Sequence, residues 1–227
     1  PLRILQEVQG RIRSLKPGDR QIDYLTFVPQ GEPTLDSRLG YSLNRLKTLG
    51  VRLAVISNAS LIWKKSVRKD LRAADWVSLK VDTVSEETWH VLNRPHGALE
   101  FGAILEGILK FSDQFSGTLT TETMLIQDVN TDESQLRDTA RFLAEVRPAT
   151  AYLSVPTRPP AEPSAQIPDT QTLATAYSIF SEVLPRVECL SEYEGNRFSS
   201  TGDLERDLLA ITAVHPMTGE AVARLME

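Results

Sequence analysis

Hydrophobic positions along this chain switch repeatedly between a period of two and a period of three to four, and the switches mark alternating strands and helices. Leu5, Val8, Ile12 and Leu15 recur on one side of a first helix, Leu2 to Leu15, which Lys16-Pro17-Gly18-Asp19 ends. Tyr24 to Val28 is apolar, aromatic and β-branched and is stopped by Pro29 and Gly31, which predicts a strand covered on both faces. Ser37 to Leu49 predicts a helix capped by Gly50. Arg52 to Ser57 predicts a strand that ends in the polar turn Asn58-Ala59-Ser60.

The alternation continues. Lys64 to Ala73 reads as a helix, Trp76 to Val81 as a strand, Glu86 to Leu92 as a short helix and Leu99 to Phe111 as a longer one. In the strand Thr118 to Gln127 the alternation puts Thr120, Glu122, Met124 and Ile126 on one face and Leu119, Thr121, Thr123 and Leu125 on the other. Lys80 and Asp82, two residues apart, share a face in the same way. A helix from Ser134 to Val146 follows the acidic lead-in Asp132-Glu133. Thr150 to Val155 is a strand, the Pro-rich stretch to Pro168 a wrapping loop, and Thr170 to Leu184 a helix with Asp169 as N-cap. Val187 to Tyr193 is a last strand, and two short helical patterns follow Gly202, separated by His215-Pro216.

Strand and helix repeat at the length of a βαβ unit, so the sheet is expected to be parallel with right-handed crossovers. Five or six strands are too few for an eight-stranded barrel, which leaves a partial barrel or an open doubly wound sheet. In either, ligands bind outside the C-terminal ends of the strands. Glu32 lies just past such an end, placed there by a Gly/Pro turn, and is a functional candidate on that ground alone; a solvated loop acid is the alternative. Asn58, Lys80, Asp82, Glu122 and Arg158 fall at or near the same rim.

Composition narrows this little. The 227 residues carry a net charge of -5, which disfavours indiscriminate binding to nucleic acid or anionic membrane, although a local basic patch remains open. One cysteine, Cys189, excludes an internal disulfide or multi-cysteine metal site and fits a reducing, cytoplasmic setting. No apolar run has membrane-spanning length and no signal-peptide pattern opens the chain. The chain begins at Pro1, directly in a helical pattern, so a preceding segment is expected. His90, His96 and His215 show no metal-ligand spacing.

Gly31-Glu32-Pro33-Thr34-Leu35, Ser57-Asn58, Ser78-Leu79-Lys80-Val81-Asp82, Asn93-Arg94-Pro95, Glu122-Thr123-Met124-Leu125 and Arg158-Pro159-Pro160 form an ordered series between about Leu5 and Pro168. The series resembles the radical S-adenosylmethionine (radical SAM) superfamily, and within it the iron-sulfur oxidoreductase branch related to wyosine-synthesis enzymes. That resemblance implies an α/β fold, a parallel (β/α)6 partial TIM-type barrel over residues 1–195. Residues 196–227 would then form a short helical, winged-helix-like extension. It also implies a [4Fe-4S] cluster that passes one electron to S-adenosylmethionine, giving methionine and a 5'-deoxyadenosyl radical that acts on an unknown substrate. The family's cluster is held by three cysteines, usually spaced Cys-x3-Cys-x2-Cys, after the first barrel strand. With Cys189 alone here, that strand and loop are expected upstream of Pro1, and an external one-electron donor is implied.

Carried over by position, Gly31 and Glu32 would bind the methionine amino group, and Ser57 and Asn58 would be further cofactor contacts. Lys80 and Asp82 would reach the cofactor's carboxylate or ribose, and Glu122 and Met124 would line the adenosine pocket. Gln30 departs from the small residue many members have there. Arg94 and Arg158, each beside proline, would clamp a carboxylate or phosphate of the substrate. A non-catalytic barrel that binds S-adenosylmethionine or a nucleotide, with an RNA-contacting tail, is the alternative. An aldolase-type barrel using Lys80 as a Schiff-base lysine is a third and weaker reading.

Overall fold

The computed structural model describes residues 2–14, 22–28, 31–156, 162, 165–190, 204–212 and 219–226. In chain order they form α1 (Leu2–Arg13), β1 (Tyr24–Phe27), α2 (Leu39–Leu46), β2 (Arg52–Ser57), α3 (Lys65–Leu71) and β3 (Trp76–Lys80). Next come α4 (Glu86–Asn93), α5 (Phe101–Ser112), β4 (Thr118–Met124), α6 (Glu133–Val146) and β5 (Thr150–Ser154). Then α7 (Thr170–Val183), β6 (Val187–Leu190), α8 (Leu204–Thr212) and α9 (Gly219–Leu225) complete the described elements. Short 3-10 turns at Pro33–Leu35 and Lys47–Leu49 flank α2.

The six strands are all parallel and stand in the order β1-β2-β3-β4-β5-β6. That order decides between the two architectures the sequence leaves open. A doubly wound sheet reverses its strand order at a switch point and so receives helices on both faces. Here the order never reverses, and right-handed crossovers place the helices that connect the strands on one face. The fold is the partial TIM-type barrel.

The register shows how the alternation is used. Leu53, Val55, Val77, Leu79 and Leu153 point to the helix side and are fully buried in one core with Leu43 of α2, Leu71 of α3, Ile108 and Phe111 of α5, Leu143 of α6 and Phe180 of α7. The opposite, inner face aligns Ile56 with Ser78, Lys80 with Glu122 and then Tyr152, and Met124 with Ser154. None of these belongs to the core cluster.

Two local expectations are corrected. Tyr24 to Val28 is not covered on both faces: Tyr24, Leu25 and Phe27 are half-buried, Thr26 is exposed and Val28 is 49% exposed. The reason is position, because β1 is an edge strand among the described residues and Thr26 lies on the inner face. The strand expected to reach Gln127 stops at Met124. There Asn130 takes the backbone N–H of Ile126 on its Oδ1, and Asp128 turns the chain at a φ of 61°. The Asp169 cap is present, its side chain accepting from the N–H of Thr172. That bond holds the Asp169 carboxyl below its ordinary range.

Candidate functional site

Four strand ends build the rim. After β1, Gly31 takes a φ of +128°, a backbone state that favours glycine, and delivers Glu32 as the N-cap of the turn Pro33–Leu35. Glu32 is 8% exposed, and a carboxylate so buried needs donors. It has them: Oε1 accepts from Thr34 N at 3.0 Å, Thr34 Oγ1 at 2.7 Å and Ser57 Oγ at 2.8 Å, and Oε2 accepts from Asn58 N at 2.7 Å. Glu32 therefore sews the end of β1 to the end of β2. Oε1 is saturated by its three donors, whereas Oε2, with one, keeps capacity for another.

The turn beyond β2 is held from several sides. Ser57 Oγ also accepts from Ala59 N at 3.0 Å, Asn58 Oδ1 accepts from Ser60 N at 2.9 Å, and Ala59 sits at a φ of 62°. Arg68 Nη1 donates to the carbonyls of Ile62 at 2.8 Å and Trp63 at 2.6 Å. From below, α5 presents Gly107, where an added Cβ would lie 2.7 Å from Trp63 N. Only glycine lets the turn approach that closely.

The ends of β3 and β4 are tied by Asp82. Its Oδ1 accepts from Met124 N at 2.9 Å and lies 3.3 Å from Lys80 Nζ, and its Oδ2 accepts from Asn93 Nδ2 at 2.9 Å. Asn130 Nδ2 donates to the carbonyls of Asp82 at 2.8 Å and Met124 at 2.9 Å. Next to Lys80 in the register, Glu122 accepts from Ser154 Oγ at 2.8 Å on Oε1.

These ends enclose two hollows. The smaller, about 180 Å³, lies at the top of the inner face and is lined by Gly31, Glu32, Ser57, Asn58, Lys80 and Glu122, with Val28, Ile56 and Ser78. The larger, about 590 Å³, lies between the tips of β2 and β3 and the helices α4 and α5. Glu32, Asn58, Lys80, Asp82 and Arg94 all reach it. Glu32, Asn58 and Lys80 line both, so the hollows are neighbours across those three residues.

The structure thus gathers Gly31, Glu32, Ser57, Asn58, Lys80 and Glu122 around the smaller hollow, with Asp82 attached through Lys80. Met124 stands at the end of the inner face, half-buried, and lines neither hollow. Arg94, the left-handed C-cap of α4, is already bonded to Glu162 at 2.8 Å. The bond raises the Arg94 pKa and holds the Glu162 carboxyl below its ordinary value. Arg158 lies outside the described residues. Sequence reasoning assigned no role to Thr34, Asn93, Asn130 and Ser154, which fix the two central carboxylates and Glu122. Asn130 had one visible signal, its place in the polar turn Asp128-Val129-Asn130-Thr131 directly after an apolar strand.

An all-parallel partial barrel with polar groups collected at the C-terminal rim defines a class of α/β enzyme scaffold. Residues 1–143 match the family model of the radical SAM superfamily, and the chain belongs to that superfamily. A UPF0026 protein of Methanocaldococcus jannaschii is 40% identical over 228 residues, which is all of this chain and 70% of that protein. Among solved structures, a radical SAM methyltransferase from Sphaerobacter thermophilus superposes with a TM-score of 0.64 at 15% identity, over 84% of this chain and 57% of that one. TYW1 with a lysine-pyruvate adduct bound gives 0.59 at 15% identity, over 80% and 59%. At those identities the likeness is one of fold.

Superfamily members use S-adenosylmethionine with a [4Fe-4S] cluster. The cluster does not fit the residues here: the chain has one cysteine, and no group of three or more His, Cys, Asp or Glu among the described residues could hold a metal. S-adenosylmethionine fits better, since Lys80 offers a cation for its carboxylate while Glu122 and Glu32 Oε2 keep acceptor capacity for its ammonium and hydroxyls. No helix among the described residues is long and apolar enough to cross a membrane.

Proposed function

We propose that this chain positions S-adenosylmethionine on the inner face of a radical SAM enzyme. One observation carries the reading: six of the eight cofactor candidates, from four different strand ends or turns, line a single hollow at the rim. Bound there, the cofactor would supply methionine and, on one-electron reduction by an external donor, a 5'-deoxyadenosyl radical that takes a hydrogen atom from substrate. This chain's one cysteine cannot hold the cluster. The chain's own residues have narrower tasks. Lys80 receives the cofactor's carboxylate, Glu122 accepts from ammonium or hydroxyl, and Asp82 holds Lys80 in place. Glu32 is a positioning residue, shaping the rim with Oε1 and offering a lone pair from Oε2. On the same reading residues 1–195 are the barrel, residues 196–227 are an appended tail that includes α8 and α9, and the protein works in the cytoplasm.

Calorimetric titration of S-adenosylmethionine into this chain tests the binding half; saturable one-to-one binding is expected, and its absence removes the inner-face assignment. The radical half needs the longer protein. After anaerobic iron-sulfur reconstitution and addition of dithionite, 5'-deoxyadenosine should form. No product above a cluster-free control would leave a second reading, a barrel that binds the cofactor without radical chemistry.

A further inference from the structure

The larger hollow is more than an annex of the smaller one. Its volume of about 590 Å³ falls in the range that small molecules occupy. Its floor is apolar and ring-rich: Trp89, Phe101, Ile104 and Ile108 are all buried, and the Trp89 and Phe101 rings lie 4.9 Å apart. The walls are preformed, because the turn after β2 is locked by Arg68, by the Asn58 side chain and by its seat on Gly107.

What the mouth can offer a ligand depends on which groups are already committed. Both lining carboxylates are engaged: Glu32 by four donors within the chain, Asp82 by Met124 N, Asn93 and Lys80. Arg94 is bonded to Glu162. Lys80 is paired with Asp82, which leaves one lysine at the mouth outside any ion pair among the described residues, Lys64, whose Nζ lies 5.3 Å above the Trp63 ring. His96 adds a donor, for Nδ1 accepts from Ala98 N and the neutral ring then carries its proton on Nε2. The mouth thus carries three cations, Lys64, Lys80 and Arg94, against the two carboxylates Glu32 and Asp82, and Lys64 is the cation left to meet an anion over the aromatic floor.

We infer that the larger hollow is the substrate pocket and takes an aromatic molecule carrying an anionic group. The ring packs against the Trp89–Phe101 floor and the anion meets Lys64, with the His96 donor at the same mouth. This rests on the reading that S-adenosylmethionine lies on the inner face with one end in the smaller hollow, since Lys80 and Asn58 then place the two ligands side by side.

The test uses this chain and named probes. Indole-3-propionate, phenyl phosphate and the neutral indole-3-propionamide are titrated by calorimetry, alongside S-adenosylmethionine. At least one anionic probe should bind one-to-one, at least tenfold tighter than the amide, and the ratio of the two anions names the head group. Ile104→Trp fills the floor and should abolish binding. Should that variant fail to fold, Leu105→Trp, on the half-buried rim, should weaken binding at least tenfold. Lys64→Glu should erase the preference for the anion. No binding of either anion, equal binding of the amide, or binding that survives the folded tryptophan variant overturns the pocket. The two assignments fail separately: S-adenosylmethionine bound without the probes sinks the pocket alone, and probes bound without S-adenosylmethionine sink the cofactor reading alone.

Discussion

The two faces of one sheet are made by alternate residues of the same strands, yet they do opposite work. On the helix side, Leu53, Val55, Val77, Leu79 and Leu153 are fully buried against five helices. On the inner side the aligned positions are Ile56, Ser78, Lys80, Glu122, Tyr152 and Ser154, most of them polar. Stability should therefore be lodged in one face and recognition in the other, with Glu32 and Ser57 as the seam between them. Ser57 belongs by register to the helix side while its hydroxyl is bonded to a rim carboxylate.

The division can be broken most sharply from the buried side. Leu79→Ala should destabilise the chain by about 2–5 kcal/mol in urea unfolding, as truncation of a fully buried leucine does. Cofactor affinity of the fraction that stays folded should hardly move. A loss well under 1 kcal/mol would show that the helix side is not where stability is lodged.

Glu32→Ala tests the seam and should cost less, about 1–3 kcal/mol, because it strands buried donors without opening a large apolar cavity. Cofactor binding should weaken with it. If only binding changes, Glu32 is a ligand residue and not a strut. Glu122→Gln probes the inner face alone. The amide oxygen can still accept from Ser154 Oγ, so the unfolding midpoint should stay nearly constant while S-adenosylmethionine affinity falls about tenfold, the loss of one charge-assisted bond.

The smallest effect is expected outside both faces, at Arg94–Glu162. The folded pKa of Glu162 is lowered by its bond to Arg94, from an ordinary 4.5. Its contribution is thus present above pH 4.5 and lost as pH falls through the lower folded value. Both side chains are largely exposed, 63% and 47%, so the contribution is slight. Glu162→Gln should flatten the acid limb of the thermal midpoint against pH while leaving the midpoint at neutral pH nearly unchanged. An equal acid limb in the variant would show that the pair contributes nothing there.

What was legible in the chain follows the same division. Periodicity found each strand start, because burial of every second residue leaves a pattern that adjacent residues reveal. It also placed Glu122 and Lys80 on their faces. It misjudged Tyr24 to Val28, since an apolar run looks the same on an edge strand as on a central one and differs only through its neighbours. The resemblance to a known family brought the six residues of the smaller hollow into view. Neither route could disclose that Glu32 has three donors on Oε1, or that Asn93 and Asn130 hold Asp82 and its strand end from 11 and 48 residues away. Those bonds join strand ends that meet only once the sheet has formed. The larger hollow was equally hidden, because its floor residues in α4 and α5 read as ordinary helix core.

The unbroken order of the strands has a consequence for biosynthesis. Each strand pairs only with those next to it in the chain, so no part of the sheet must wait for a distant partner to be translated. A nascent chain can lay down β1, then β2 with its helix, and extend the sheet one unit at a time as it leaves the ribosome. A sheet that reverses its order grows at two edges in turn; here there is one, and it advances with synthesis.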